Sequence, residues 1–415
     1  MYKNKEALGS QCLSRVLTRN SQDRRGRGAA WVGSDPLAAA SPGNTDRLES
    51  VAPDPVPVGG HRTLLRGFNG IPTMAGRAQQ TPLFTFGVIA DIQYADIDDG
   101  HNFHRTRTRF YRSSLQLLRN AVQSWSGSPV KPEFVLQLGD IIDGFNKGRG
   151  SSERALDAVL EELGSGPPEV HHVWGNHELY NFSRSELLRS RLHSGLRTGR
   201  MEGKAQPGGD VYAYHFSPFP GFRFVVLDGF DVGLLGVEES SEGYQRALRV
   251  IRQHNQNEDL NRCPGSGLQM RFSMFNGGFS KNQLDWLDSV LLSADEGRER
   301  VTVVCHLPVH PDSTEPNCLA WNYEELLALL RSHSSVVCFM AGHDHEGGYH
   351  QDKETGVHHI TFEGVIETPP DSNAFATVSV YEDRMEMKGH GRIRDRVLLF
   401  PGCSETDDRI KCHTL

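Results

Sequence analysis

Cysteine is scarce in this chain: there are seven in 415 residues, an odd number at irregular spacings. That excludes a disulfide framework as the source of the fold. Cys305 and Cys338 lie in apolar, strand-like runs, where a reduced, buried thiol is the ordinary expectation. No apolar run approaches the roughly 18 to 20 residues that a membrane-spanning helix requires. Positive charge is not in excess either. The formal net charge is −8, which argues against nucleic acid held on a broad basic face. An anionic substrate stays compatible, because bound metal ions can supply positive charge locally. With 37% hydrophobic and 23% charged residues, the composition is that of a soluble globular protein, long enough for one large α/β domain or two smaller ones. The expectations are therefore a cytoplasmic monomer with neither nucleic acid nor membrane as partner.

Periodicity is what residues 1 to about 80 lack. They carry Gly, Ser, Pro, Ala and Arg, and Asp54-Pro55-Val56-Pro57 opposes any regular element. Ten Lys/Arg face six Asp/Glu through Thr73, a basic stretch before an acidic remainder. A disordered, dispensable extension over 1–80 is expected. A mitochondrial transit peptide is the lesser reading, since Glu6 and Asp23 interrupt the basic pattern. The folded domain is expected over 81–400, and a tail over 401–415.

From Leu83 onward, apolar runs short enough to be buried strands end repeatedly in polar residues. Leu83 to Ala90 ends in Asp91-Ile92-Gln93. Phe134 to Leu138 ends in Gly139-Asp140, with Asp143 close behind. Val170 to Trp174 ends in Gly175-Asn176-His177-Glu178. Val301 to Cys305 ends at His306, and Val336 to Met340 ends in Gly342-His343-Asp344-His345. Ligands gather where strands of an open α/β sheet terminate. In an extended segment, side chains at i and i+2 project the same way, so Asp91 with Gln93, and His343 with His345, can each share one ligand.

Helical spacing fills the intervals: residues 104–126, with Phe110, Leu117, Leu118, Ala121, Val122 and Trp125 as a core stripe, then about 151–164, 243–256, a helix N-capped by Ser280, and 323–332. Strands alternating with helices predict a substantially parallel sheet. Residues 357–363, 375–381 and 384–388 alternate as antiparallel strands and predict a second sheet. Residues 195–210 and 257–279 read as loops.

Asp91-x-Gln93, Gly139-Asp140-x-x-Asp143, Gly175-Asn176-His177-Glu178, His306 and Gly342-His343-x-His345 together resemble the calcineurin-like metallophosphoesterases, in order and spacing over roughly residues 83 to 390. Gln93 stands where most of that superfamily has histidine. With Asn276-Gly277-Gly278-Phe279-Ser280, Leu319 to Tyr323 and Glu363 to Glu367, it narrows the resemblance to the manganese-dependent ADP-ribose/CDP-alcohol diphosphatases. Asp344 departs from the threonine expected there, and by the i, i+2 argument it points away from the metal.

The resemblance implies an α/β fold, a four-layer αββα sandwich with a two-metal site at the strand ends. By the family pattern Asp140 bridges the ions. One ion takes Asp91, Gln93, Asp140 and His345; the other takes Asp140, Asn176, His306 and His343. Oxygen ligands dominate the first site, which favours Mn²⁺ over Zn²⁺, with Mg²⁺, Zn²⁺ and Fe²⁺ as the other possible ions. The implied reaction is attack by a two-metal-activated hydroxide on the pyrophosphate of ADP-ribose or of CDP-choline, CDP-ethanolamine or CDP-glycerol. His177 is the catalytic candidate, stabilising the transition state or protonating the leaving phosphate; the alternative is a histidine that packs the loop. Asp143 and Glu178 orient ligands, or Asp143 caps the following turn. For the nucleoside end, Phe103 and Cys318 are the candidates, with ordinary packing as the alternative for each. The competing functions are a cyclic-nucleotide phosphodiesterase on the same metals and a non-catalytic scaffold of the same fold.

Overall fold

The computed structural model describes residues 80–412 apart from 103–104, 168, 196–201, 205–209 and 407–408. The extension expected over 1–80, Gln80 excepted, lies outside the described residues, as does Phe103. The description below concerns the unit from Thr81 onward.

Three of the apolar runs become Phe84–Ile89 (β1), Phe134–Gln137 (β2) and Val170–His172 (β3), parallel and adjacent in one sheet. The other two become Arg300–Val304 (β5) and Val336–Ala341 (β6), which lie parallel and adjacent with Phe222–Val226 (β4) in a second sheet. Antiparallel strands extend both. Ala374–Val380 pairs with β1, followed outward by Arg384–Gly391 and Arg396–Leu399. On the other sheet Tyr214–Phe219 flanks β4, with Glu202–Lys204 beyond it.

The expected second sheet is corrected in its membership. His358–Thr361 joins β6 in parallel, whereas Ala374–Val380 and Arg384–Gly391 complete the sheet of β1. Alternation along a strand reports that one face is buried, not which neighbour it bonds. Hence the last three strands divide between the sheets.

The sheets pack face to face through aromatic side chains. Phe86 and Phe134 from one sheet meet Phe224 from the other edge-on, with ring centroids 5.2 and 5.3 Å apart, and Phe134 meets Phe216 at 5.4 Å. Such pairs contribute about 0.5–1.5 kcal/mol each beyond the area they bury. Helices cover the outer faces. Ser113–Gly127 (α1) and Ser152–Gly164 (α2) turn Leu117, Leu118, Ala121, Val122, Trp125, Leu156, Val159 and Leu163 inward. Trp125 Nε1 donates to the Ala376 carbonyl oxygen at 3.3 Å, tying α1 to its sheet. Lys281–Gly297 and Tyr323–Arg331 belong to the second sheet; Arg223 on β4 donates to the Val290 carbonyl oxygen at 3.3 Å. Ser280 caps the first of these by accepting from Gln283 N, as expected. The result is the four-layer αββα order.

The helix expected from 104 begins only at Ser113. Before it, Gly100–His101 and Thr108–Arg109 form a small ladder. Asn102 Oδ1 accepts the backbone N–H groups of Thr106 and Arg107 at 2.9 and 3.3 Å. Local side-chain bonding of this kind competes with helix formation. Phe110 is consequently not on the helix face; its N–H bonds the Ile366 carbonyl oxygen at 2.8 Å.

In the expected tail, Cys403–Thr406 and Arg409–Cys412 pair as antiparallel strands, with Cys403 opposite Cys412 in register. Cys403 is disulfide-bonded, while Cys305 and Cys338 are free and buried as expected. No helix among the described residues is long and apolar enough to cross a membrane.

Candidate metal centre

Five strand ends deliver the site. Asp91 and Gln93 follow β1, Asp140 follows β2, Asn176 opens the short helix Asn176–Asn181 beyond β3, His306 follows β5, and His343 and His345 follow β6. All seven predicted ligands are brought together and all are at least largely buried. Two groups of potential donors form, Asp91–Asp140–His345 and Asp140–His306–His343, and Asp140 is common to both. Gln93 lies with the first group, its Nε2 3.1 Å from Asp140 Oδ2 and 2.9 Å from His345 Nε2. Asn176 lies with the second, its Oδ1 3.3 Å from His306 Nε2.

The reason Asp91 and Gln93 converge differs from the one expected. Neither backbone is extended: φ is 52° at Asp91 and 43° at Gln93, with Asp140 at 57° and His343 at 72°. Left-handed backbone at bulky residues costs about 1–3 kcal/mol each and persists where surrounding structure imposes it, which is common at functional sites. Here the imposing bonds are identifiable. Gln93 N donates to the Asp140 carbonyl oxygen at 2.8 Å, and His343 N donates to the Asp91 carboxylate at 3.0 Å.

Each imidazole is held by the nitrogen that faces away from the centre. His306 Nδ1 pairs with the Leu138 carbonyl oxygen at 2.7 Å, His343 Nε2 with Asn276 Oδ1 at 2.7 Å, and His345 Nδ1 with Glu367 Oε1 at 2.9 Å. Since those acceptors require the proton outside, the lone pairs of His306 Nε2, His343 Nδ1 and His345 Nε2 face inward. Glycine clears the space for this packing. A Cβ on Gly139, whose φ is 98°, would sit 2.4 Å from His306 Nδ1, and one on Gly175 would sit 2.1 Å from Asp140 Oδ1.

Glu178 is buried beneath the centre and accepts three backbone N–H groups: Asp140 at 2.8 Å, Ile141 at 2.6 Å and Gly175 at 2.7 Å. Burial and then the Asp140 charge raise its carboxyl to about 7 against those donors. It orients ligand-bearing backbone, as expected. Asp143 instead caps the next turn, its Oδ1 accepting from Phe145 N at 2.8 Å. His177 N donates to Asp140 Oδ1 at 2.8 Å. The His177 ring accepts from Gly144 N at Nδ1, 2.8 Å, which places its own proton on Nε2, 3.9 Å from Asp140 Oδ2.

The donors suit cations. Burial alone would raise Asp140, yet the charges of His306 and His177 outweigh it and hold the carboxyl well below the usual range. Burial would likewise lower His306 and His345, but the facing carboxylates raise both to about 9. A field that draws protons onto imidazoles also draws metal ions. Gln93 Oε1 is buried without a partner, the state of an acceptor made for a cation. A half-turn of the amide exchanges Nε2 and Oε1 and brings that oxygen among the ligands. The residues therefore fit two divalent ions sharing Asp140.

Several contributors were not assigned a role from sequence. Asn276 and Glu367 orient His343 and His345; both lie in the motifs that carried the resemblance. Arg109 stands 3.5 Å from Glu367 and 3.9 Å from Asp143, and nothing in the local sequence distinguishes it from its neighbours Arg105 and Arg107. Asp344 does point away from the metal, but it is not idle. Its Oδ2 accepts from Thr314 Oγ1 at 2.9 Å and Glu315 N at 2.7 Å, fixing the segment that leads to Cys318. Cys318 is a free thiol whose environment includes Asp344 and Asp91. Its turn is linked to the centre through the bond from Asn276 Nδ2 to the Asn317 carbonyl oxygen, 2.6 Å.

The calcineurin-like phosphoesterase family matches residues 84–347. A manganese-dependent ADP-ribose/CDP-alcohol diphosphatase of Danio rerio is 57% identical over 77% of this chain and 99% of its own length. The Homo sapiens protein of that name is 49% identical over 77% of this chain and 93% of its own. The crystal structure of a dimetal phosphatase from Danio rerio superposes with a TM-score of 0.74 at 56% identity, covering 77% of this chain and 99% of that one. This chain belongs to the calcineurin-like phosphoesterase family.

Proposed function

We propose that the protein hydrolyses the pyrophosphate bond of ADP-ribose and of CDP-alcohols such as CDP-choline, CDP-ethanolamine and CDP-glycerol. The products are a nucleoside monophosphate and a second phosphomonoester, and manganese is the favoured metal. The observation that carries this reading is Asp140, shared by two groups of buried donors, with the Gln93 side-chain amide beside it. The names of relatives at 49–57% identity support the substrate class.

Two divalent ions at such a centre supply Lewis acidity toward the phosphoryl oxygens and lower the pKa of water. The chain's own groups do the rest. Asp91, Gln93, Asp140 and His345 would hold one ion, and Asp140, Asn176, His306 and His343 would hold the other. In this reading His177, with its proton on Nε2, hydrogen-bonds a phosphoryl oxygen and protonates the leaving phosphate. Cys318 and Phe103 serve the nucleoside end in this reading.

The test is product analysis over a panel of ADP-ribose, CDP-choline and a cyclic nucleotide, with Mn²⁺, Mg²⁺ and Zn²⁺ supplied separately. Conversion of the first two to a nucleoside monophosphate plus a second monoester, best with Mn²⁺, is expected. Opening of the cyclic nucleotide while both diphosphates stay intact would establish a phosphodiesterase instead. No turnover of any compound by protein holding two ions would leave a scaffold.

A further inference from the structure

A second cluster of metal-binding side chains lies apart from the centre. One nitrogen each of His310 and His350 and one carboxylate oxygen of Asp312 lie within 4.8 Å of one another. His350 Nδ1 is 3.6 Å from Asp312 Oδ2. The rings of His310 and His350 stack with centroids 4.1 Å apart, and His359 stands 4.8 Å from His310. His350 and His359 are directly opposed across the antiparallel pair Gly348–Gln351 and His358–Thr361.

His359 packs against His310 at the edge of the cluster. It is 1% exposed, and its Nδ1 has no hydrogen-bond partner. Burial, and then the nearby His310, lower His359 to about 3, and burial with His350 lowers His310. Both rings are thus neutral near pH 7, the form in which imidazole binds metal. Asp312 and Asp352 supply negative charge to the cluster, and Arg331, which opposes it, is already paired with Asp352 at 2.6 Å.

We propose that His310, His350 and Asp312 form a third divalent-cation site, selective for zinc-class ions. Two imidazoles and one carboxylate, with water in the fourth position, are a tetrahedral donor set of borderline softness, unlike the oxygen-rich half of the Asp140 centre. Tetrahedral zinc needs donors about 3.3 Å apart, so the present spacing must close. His350 and Asp312 are the more exposed members and can rotate to do so. His310 exchanges its long bond from Asp312 N, 3.2 Å, for the ion. An ion here would clamp the segment after His306 to the hairpin that follows His345.

The full chain, with its Asp140 centre saturated with Mn²⁺, is equilibrated with buffered Zn²⁺ and its zinc content measured. Wild type is expected to hold one zinc equivalent more than His350→Ala, and Asp312→Ala to bind that equivalent at least about 10-fold more weakly. Mn²⁺-supported turnover in each zinc-free variant serves as the check on folding. Should His350→Ala fail to fold, the half-exposed Asp312→Ala decides alone. Equal zinc content and affinity in wild type and the folded variants would overturn the proposal.

Discussion

His306 Nε2 and His343 Nδ1 stand 3.1 Å apart, and the opposite nitrogen of each ring is committed to an acceptor, the Leu138 carbonyl oxygen and Asn276 Oδ1. Two lone pairs directed at one another repel unless a cation or a proton lies between them. Asp140 Oδ2, 3.5 Å from the same His306 nitrogen, adds a buried negative charge to that point. The arrangement is stable because something positive belongs there.

Loss of the shared carboxylate should therefore be felt twice. Asp140→Asn is expected to weaken both ions together, by more than the roughly 10- to 100-fold that follows loss of a group supporting a ligand. Metal content after dialysis, read together with turnover against Mn²⁺ concentration, measures this. Retention of both ions at full turnover would remove the two-metal centre.

Gln93→His tests metal choice. The amide oxygen is a hard donor and imidazole a softer one, so the substitution should move activity from Mn²⁺ toward Zn²⁺ with the second group of ligands undisturbed. Relative turnover in the two metals is the readout. An unchanged Mn²⁺-to-Zn²⁺ ratio would mean that Gln93 does not ligate.

Gly87 lies on β1 beneath α1. A Cβ there would stand 2.8 Å from both Trp125 Cε2 and Val135 Cγ2. These are ring and branched-chain atoms held in the core, so Gly87→Ala is overpacked and should cost about 1–3 kcal/mol. Its denaturation midpoint should fall while the metal content of the folded protein stays that of wild type.

The legible part of this molecule was its punctuation. Each of the five ligand-bearing strand ends was visible because a short apolar run gives way abruptly to Asp, Asn or His, and each delivers its residues to one place. Two things were not legible. The left-handed turns at Asp91, Gln93 and His343 are imposed by bonds to residues distant in sequence, such as Asp140, so spacing alone suggested an extended geometry that is absent. The division of the strands between two sheets escaped for a related reason: His359 and Val378 are both buried in short strands, yet one pairs with β6 and the other with β1. The late start of α1 had a local signal, Asn102 followed by Thr106 and Thr108, which helical spacing at Phe110 concealed.

Asp352 supplies an acid-dependent share of stability. Burial opposes its ionisation, but Arg331 at 2.6 Å and the N–H groups of Glu354 and Thr355 lower it to about 2. Because the folded value lies below the ordinary 3.8, the stabilisation is complete above about pH 4 and is lost as pH falls toward 2. After allowance for the part-exposed Arg331, about 1–2 kcal/mol is expected. Asp352→Asn should be less stable than wild type by that amount at pH 7, and the gap should shrink to a small remainder at pH 2 and close below it. A gap independent of pH would assign the effect to packing.

His177 offers the sharpest separation of binding from chemistry. Its backbone N–H, not its ring, holds Asp140 Oδ1 at 2.8 Å, and alanine keeps that bond. The Gly144 N–H that loses its acceptor at Nδ1 lies at a part-exposed position where water can replace it. His177→Ala should thus retain both metal ions and the wild-type affinity for them. What disappears is the Nε2 proton beside the centre. Turnover should fall by about 10²- to 10⁴-fold, the range for a lost general acid, and substrates with a more acidic leaving group should suffer less. Turnover equal to wild type would leave the ring a packing group, and loss of metal would make it a ligand support.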